Sequence, residues 1–316
     1  MYDTLDVQKS LVKQLNMRFP NIEVTEVTRI NSTRNKLYLA KTGANQQNYV
    51  FKLTPLHTSH IPYVEYRAMH EIHRLHGPVS RPVPMEKECV VHLNDEQFAV
   101  NGYEYIQGNT LSPTETNFHS LGVSIGHLHQ VSIHMDKPSW LPEVTVSDLI
   151  NEPIEAISQK CRDNGMFTTA IQQATMVAEV LHHNRNPDWI GFSHGDAHHI
   201  NAIQTSRDEI VWIDLEDASW QWRGYDLATA IWGTFGRGGS ANIWNELING
   251  YTSVRSLSEE EATLIRFLIF SRHLWWLGLH ANNWDRWPKP YTSEHFFQSG
   301  IELLVTIGKD VCGLKT

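Results

Sequence analysis

An α+β fold in two parts is what the sequence predicts: a small antiparallel sheet with a helix, then a larger and mostly helical part. Three observations lead there. Short strand-like runs broken by polar turns fill residues 24 to 105. From Ser112 onward, apolar residues recur at helical spacing. Within that second part, a dense polar block, His194-Gly195-Asp196-Ala197-His198-His199-Ile200-Asn201, lies between two short apolar runs, Trp189 to Phe192 and Ile210 to Ile213. At 316 residues the chain is long enough for one large domain or two smaller ones around a cleft.

Residues 5 to 19 read as an opening helix, with Leu5, Leu11, Val12, Leu15 and Phe19 partly periodic and Pro20 as its stop. Strands follow at Val24 to Ile30, Leu37 to Ala40 and Tyr49 to Leu53. In the last of these, alternation sets Val50 and Lys52 on one face and Tyr49, Phe51 and Leu53 on the other. A lysine within an apolar strand either snorkels to solvent at a sheet edge or needs a buried partner. Tyr63 to Leu75 is helical by pattern, with Val64, Ala68, Met69, Ile72 and Leu75 on one face. Glu65 falls at the edge of that face, and Glu71 lies on another. Two further strands are expected from Cys89 to His92 and from Phe98 to Tyr105.

Ser112-Pro113-Thr114-Glu115 has the form of a capping box with proline at the first helical position. Phe118, Leu121, Ile125 and Leu128 follow at helical spacing, and His129 reads as a core or loop-bracing residue. Helical stretches near 147 to 161 and 167 to 183 precede the polar block. After it, Ser258-Glu259-Glu260-Glu261 is a second capping box, opening a long helix with Leu264, Phe267, Leu268, Leu274 and Trp275 inward. The region from Trp275-Trp276 through Trp284, Asp285, Arg286 and Trp287 is unusually aromatic. Core packing is one reading of it, and a substrate wall is the other.

The polar block carries the chemistry. Asp196 and Asn201 stand on a loop between two strands, and Asp214 marks the end of the second strand. Two carboxylates and an amide that converge suit a hard cation such as Mg2+, shared with phosphate oxygens. An acid beside that metal can take a proton from a hydroxyl, which describes a phosphoryl-transfer site.

His-Gly-Asp, four residues, Asn, then Ile213-Asp214 and Asp226-Leu227-Ala228 resembles the catalytic region of the aminoglycoside phosphotransferase and choline kinase superfamily, relatives of the protein kinases. The resemblance runs from the turn at Asn31 to the helix after Trp287. It implies a two-lobed, protein-kinase-like fold with residues 1–103 as a nucleotide-binding lobe, 104–108 as a hinge and 109–316 as a helical lobe holding the acceptor site. Carried over by position, Asp196 is the catalytic base or hydroxyl-orienting acid, Asn201 and Asp214 hold magnesium, Asp226 braces the loop and His194 is structural. Lys52 contacts the phosphates of ATP, paired with Glu65. Backbone groups near Glu104 and Ile106 meet the adenine edge. Where many relatives carry a Gly-Gly pair over the phosphates, this chain has Ile30-Asn31-Ser32-Thr33-Arg34-Asn35, with Ser32 as the candidate contact. That turn is similar to the one in bacterial stress response kinase A, which phosphorylates protein Ser/Thr. The implied activity is therefore ATP-dependent phosphorylation of a hydroxyl, on a small molecule or a protein Ser/Thr.

Composition narrows the alternatives. Hydrophobic residues make up 41% and charged residues 19%, the values of an ordinary soluble globular protein. A net charge of -9 argues against non-specific binding to nucleic acid or anionic lipid. Cys89, Cys161 and Cys312 are scattered and odd in number, so a reducing cytoplasm is the expected setting. The first residues lack the basic and apolar regions of a signal peptide, and no apolar run approaches the ~20 residues of a membrane span. Two other functional readings stand beside the kinase. One is a zinc hydrolase built on His194, Asp196, His198 and His199; the other is a nucleotide-binding protein without turnover.

Overall fold

The computed structural model describes residues 4–30, 36–43, 47–56, 60–85, 88–161, 165–235 and 239–314. Its elements run α1 (Leu5–Arg18), β1 (Val24–Ile30), β2 (Lys36–Thr42), β3 (Tyr49–Pro55), α2 (His60–Arg74), β4 (Val90–Leu93), β5 (Glu96–Glu104), β6 (Gly108–Thr110), α3 (Glu115–Val131), α4 (Glu152–Ser158), α5 (Gly165–His183), β7 (Ile190–Ser193), β8 (Ala202–Thr205), β9 (Ile210–Trp212), β10 (Ser219–Trp222), α6 (Gly224–Trp232), α7 (Ala241–Thr252), α8 (Glu259–Asn282) and α9 (Glu294–Thr306). No described helix is long and apolar enough to cross a membrane.

Contacts divide the chain into two units, Met1–Leu111 with Ile200–Ala218, and Ser112–His199 with Ser219–Thr316. The first holds a five-stranded antiparallel sheet in the order β1-β2-β3-β5-β4. Helix α1 supplies Leu11 and Leu15, and its C-cap Phe19 joins them, in one core with Phe51 and Leu53 of β3 and Val91 of β4. The period-two alternation of β3 decides this: Phe51 and Leu53 are both 0% exposed in that core, so Val50 and Lys52 face the other way.

The division differs from a simple split near residue 103. Residues 200–218 join the strand-rich unit because β8 pairs with β6, Thr110 opposite Ile203, and because Trp212 exchanges backbone hydrogen bonds with the Pro78–Ser80 segment, at 2.7 and 3.1 Å. Ladder hydrogen bonds from distant sequence leave no periodic signature, so that regrouping was not readable from apolar spacing.

In the second unit, β7 pairs with β10 beside a helical core. Phe118, Leu121, Ile125 and Leu128 of α3 are each 0% exposed, as their spacing predicts. Helix α3 begins later than the Ser112 box suggests. Thr114 is the N-cap, accepting from the Asn117 N–H at 3.3 Å, because the Ser112 hydroxyl is taken by the Asn117 side chain at 3.1 Å. Ser258 does cap α8, accepting from the Glu261 N–H at 3.1 Å.

Helices α3 and α7 touch backbone to backbone at two glycines. A Cβ on Gly122 would collide with the Leu247 carbonyl oxygen, and one on Gly250 with the His119 carbonyl oxygen. Gly122→Ala should therefore force the helices apart and cost about 1–3 kcal/mol, the usual overpacking penalty. At Gly165, nothing lies within 4 Å of an added Cβ, and Gly165→Ala should stay within about 0.5 kcal/mol of the parent. Urea unfolding of the two variants measures the contrast.

Candidate functional site

The strand-rich unit contains a cavity of ≈ 270 Å³ with an apolar body and a charged end. Ile30, Leu37, Val50, Met69, Ile203 and Ile213 form its walls, and Lys52, Glu65 and Asp214 line it with them. The turn expected over the phosphates, including Ser32, lies outside the described residues.

At the charged end, the Lys52 ammonium meets three carboxylates: Asp214 at 2.6 Å, Glu216 at 2.8 Å and Glu65 at 2.9 Å. Strand β3 delivers Lys52 and helix α2 delivers Glu65, both nearly inaccessible to solvent. Glu71, the other helix acid considered, instead pairs with Arg74 at 2.6 Å. Burial opposes the charge on Lys52, but Glu65, Asp214 and Glu216 outweigh it and hold the ammonium protonated well above its ordinary range. Burial pushes the Glu65 carboxyl up to about 7, with Lys52 pulling the other way.

Glu216 escaped the sequence reading. Its only signal was an acid two residues after Asp214, which looks unremarkable without knowing the backbone. Asp214 sits at φ 62°, in the left-handed region, and opens a short 3-10 turn carrying Glu216. That conformation is uncommon for a residue with a Cβ, is best tolerated by Asp and Asn, and clusters at functional sites. Asn201 arrives from the neighbouring strand: its carbonyl accepts from the Ile213 N–H at 3.0 Å, setting it opposite the residue before Asp214. Among the described residues, Glu65, Asp214 and Glu216 form a group of possible metal ligands, with oxygens within 4.8 Å of one another. Three carboxylates are hard donors and fit Mg2+.

Glu104, Tyr105 and Ile106 line the same cavity. The Glu104 N–H is already spent on the Arg81 carbonyl at 2.9 Å. Its carbonyl takes the Ser80 hydroxyl at 2.8 Å and keeps a second lone pair. Any contribution of Glu104 to an adenine edge is therefore through that carbonyl alone.

The helical unit carries Asp196. Its loop hangs on the buried Asp226 of α6, which accepts from the His194 N–H at 2.8 Å, the Gly195 N–H at 2.9 Å and the Ser193 hydroxyl at 2.8 Å. His129 adds a fourth bond from Nε2 at 3.0 Å, while its Nδ1 lies 3.0 Å from the Tyr251 hydroxyl. Burial lowers the His129 pKa, so the neutral ring donates to Asp226 and accepts from Tyr251. Gly195 turns the loop at φ 80°, a conformation suited to glycine.

Asp196 itself is held by Arg272 of α8. One guanidinium nitrogen pairs with its Oδ1, the other donates to the Gly195 carbonyl at 3.3 Å, and His198 Nε2 stands 3.3 Å from Oδ2. The guanidinium also lies 4.9 Å from the ring of Trp232 and 4.7 Å from that of Trp275. Burial works against the carboxylate, yet Arg272 and then His198 outweigh it and keep Asp196 far below the ordinary carboxylate range. Arg272 is 76 residues further along the chain, and no local pattern could have paired it with Asp196.

The zinc reading fails on geometry. The Asp196 N–H donates to His194 Nδ1 at 3.3 Å, its carboxylate is committed to Arg272, and His199 packs against Phe118 with ring centroids 6.0 Å apart. Among the described residues, these side chains do not form a ligand cluster.

The aromatic stretch also resolves. Trp284 packs on Phe297 at 5.4 Å, and Trp287 stands edge-on to His280 at 4.7 Å, so both support the fold of the C-terminal helices. Trp276 instead joins Trp232, Phe235 and Phe296 around a second cavity of ≈ 480 Å³.

The chain matches the phosphotransferase enzyme family over residues 26–263 and belongs to it. It is 23% identical over 235 residues to an uncharacterized protein of Deinococcus radiodurans, covering 72% of this chain and 68% of that one. A second relative, from Synechocystis, is 22% identical, and the chain spans about half of its length (53%). Among solved structures, the amicoumacin kinase hAmiN bound to AMP-PNP, Ca2+ and Ami superposes with a TM-score of 0.75 at 16% identity, covering 94% of this chain and 93% of that one. A microcompartment-associated aminopropanol kinase gives 0.70 at 18%, covering 96% and 95%. The choline kinase LicA of Streptococcus pneumoniae gives 0.66 at 15%, covering 94% and 98%. The fold is thus the α+β kinase-like one, and the protein is a phosphotransferase.

His273, beside the second cavity, offers a test of the packing there. Trp232 Nε1 donates to its Nδ1 at 3.0 Å, and its Nε2 donates to the Gly300 carbonyl at 2.8 Å. Burial pushes its pKa down from 6.5 to about 4. Between those values the unfolded chain binds a proton that the native state refuses, so stability is present above pH 6.5 and is lost as pH falls toward 4. Wild type should lose about 2 kcal/mol more than His273→Gln between pH 7.5 and pH 5, read from urea unfolding at both values.

Proposed function

We propose that the protein transfers the γ-phosphate of ATP to a hydroxyl of a small molecule, with magnesium at Asp214 and Asn201. The observation that carries this reading is the charged end of the first cavity, where Lys52 converges with Glu65, Asp214 and Glu216 beside an apolar slot. A flat base fits the apolar walls, with the Glu104 carbonyl and the Ile106 N–H available to its edge. Lys52, steadied by Glu65, neutralises phosphate charge. Asn201 and Asp214 would hold Mg2+, with Glu216 as a further carboxylate; when bound, the metal draws charge off the phosphate oxygens and fixes their orientation.

Asp196 receives the acceptor hydroxyl. Because Arg272 and His198 keep it strongly acidic, it is a weak base at neutral pH. It serves by aligning the attacking oxygen through a hydrogen bond and takes the proton as the bond to phosphorus forms. A loose, metaphosphate-like transition state asks little more of the nucleophile. Small-molecule acceptors are named for each of the structural neighbours above, which supports that class over a protein Ser/Thr.

Mg-ATP at ~100 times its dissociation constant should stabilise the protein by about 2.7 kcal/mol. Asp214→Ala should abolish the magnesium-dependent part of that stabilisation, seen as a lost melting shift. Asp196→Asn should keep the shift while phosphate transfer falls by a factor on the order of 10²–10⁴. A variant that transfers phosphate at the wild-type rate would remove Asp196 from the chemistry.

A further inference from the structure

The cation that the three acids of the first cavity hold is the protein's own. Lys52 draws one oxygen from each of Glu65, Asp214 and Glu216, at 2.9, 2.6 and 2.8 Å. Those same acids are the group of possible metal ligands. A divalent ion bound by all three would therefore compete with the ammonium for its partners. All four residues belong to the strand-rich unit, so the competition is internal to it.

Both cations cannot be satisfied at once. Mg2+ binds oxygen at about 2.0–2.1 Å and gives up its water shell reluctantly. Set among these acids, it would stand beside the ammonium, where like charges repel more strongly than in bulk water. Nor can Lys52 simply step aside. It is 5% exposed and Glu65 2%, and parting a buried pair leaves each charge without a partner. Asp214 is the open member of the set, its side chain 42% exposed. A free ion thus meets one accessible carboxylate rather than three, and an exposed charge alone is a weak hold.

A triphosphate changes the balance. Its oxygens give the ammonium new anionic partners and bring further ligands to the metal at the same time. We propose that Lys52 closes the metal site: it holds Glu65, Asp214 and Glu216 as a built-in cation, so that a divalent ion binds there only together with a polyphosphate that takes the ammonium over. The inference rests on the phosphotransfer reading above. Removing the ammonium should then create a metal site that needs no nucleotide, which that reading alone does not require.

The experiment titrates Mn2+, as a probe of the magnesium site, into the whole chain without nucleotide, followed by calorimetry and by melting temperature. Wild type should show no Mn2+ binding tighter than about 1 mM and no melting shift. Lys52→Met leaves three carboxylates and no cation. It should bind Mn2+ at least about tenfold more tightly than wild type and melt higher with it, and adding Asp214→Ala should remove that gain. Folding of Lys52→Met only in the presence of Mn2+ would be the same result, the metal having replaced the ammonium. Lys52→Gln, which keeps a donor near the acids without the charge, carries the test should Lys52→Met stay unfolded in metal. Wild-type Mn2+ binding tighter than about 1 mM that Asp214→Ala abolishes would overturn the proposal. So would a folded Lys52 variant that binds Mn2+ no better than wild type. The wild-type melting shift with Mg-ATP is recorded alongside. Its absence would sink the nucleotide reading itself; its presence with either overturning result would sink only the closure by Lys52.

Discussion

A buried carboxylate with all its bonds made is the constraint on which the reactive loop depends. Asp226 is 0% exposed, and an isolated charge there would cost several kcal/mol. It is tolerated because four donors converge on it: the Ser193 hydroxyl, the His194 and Gly195 amides, and His129. The same four bonds fix the path of the chain into Asp196. His129 is in turn oriented by Tyr251, whose hydroxyl accepts from Arg255 at 2.8 Å. Helices α3, α6 and α7 therefore each contribute a polar group to one short loop, and the close packing of α3 on α7 at Gly122 and Gly250 sets the distance at which His129 and Tyr251 meet.

The two charge clusters solve opposite problems. At Lys52, three acids surround one base, so negative charge is in excess and a cation is welcome. At Asp196, one acid is surrounded by a guanidinium and an imidazole, so the carboxylate is stabilised and its basicity suppressed. In the proposed reaction the first arrangement would draw in magnesium and phosphate through it; the second keeps an oxygen ionised at any physiological pH, able to accept a hydrogen bond. An acid tuned this way gives up proton affinity for certainty of charge state. A reaction whose transition state demands little deprotonation of the nucleophile can accept that exchange.

Much of this was legible in the chain because the relevant signals are local. The alternation of Tyr49 to Leu53 put Lys52 on the face opposite the Phe51 core, while the helical period left both Glu65 and Glu71 open and the family resemblance chose Glu65, which meets Lys52 at 2.9 Å. The offsets from Asp196 to Asn201, Asp214 and Asp226 survive as spacing because each element between them is short. What the chain hid was non-local or main-chain. Arg272 reaches Asp196 from a helix far downstream, and nothing around Ser271-Arg272-His273 distinguishes it from a surface arginine. The Glu104 amide is spent on Arg81, a fact of strand pairing that side chains do not encode. The capping residue is Thr114 rather than Ser112 because Asn117 gives its backbone N–H to the Thr114 hydroxyl and its side-chain amide to the Ser112 hydroxyl.

The aromatic stretch shows why composition alone misleads about sites. Trp276, Trp284 and Trp287 look equivalent in sequence, yet of the three only Trp276 is among the residues lining the second cavity. The distinction comes from what each ring's neighbours need. Trp284 and Trp287 pack on Phe297 and His280, which the C-terminal helices bury, so part of each ring is taken up by the fold. Trp276 lies one turn after Arg272 on α8, on the stretch of helix that also bears His273, and Trp232 already supports the guanidinium. The cavity is thus lined by residues next to those that hold Asp196.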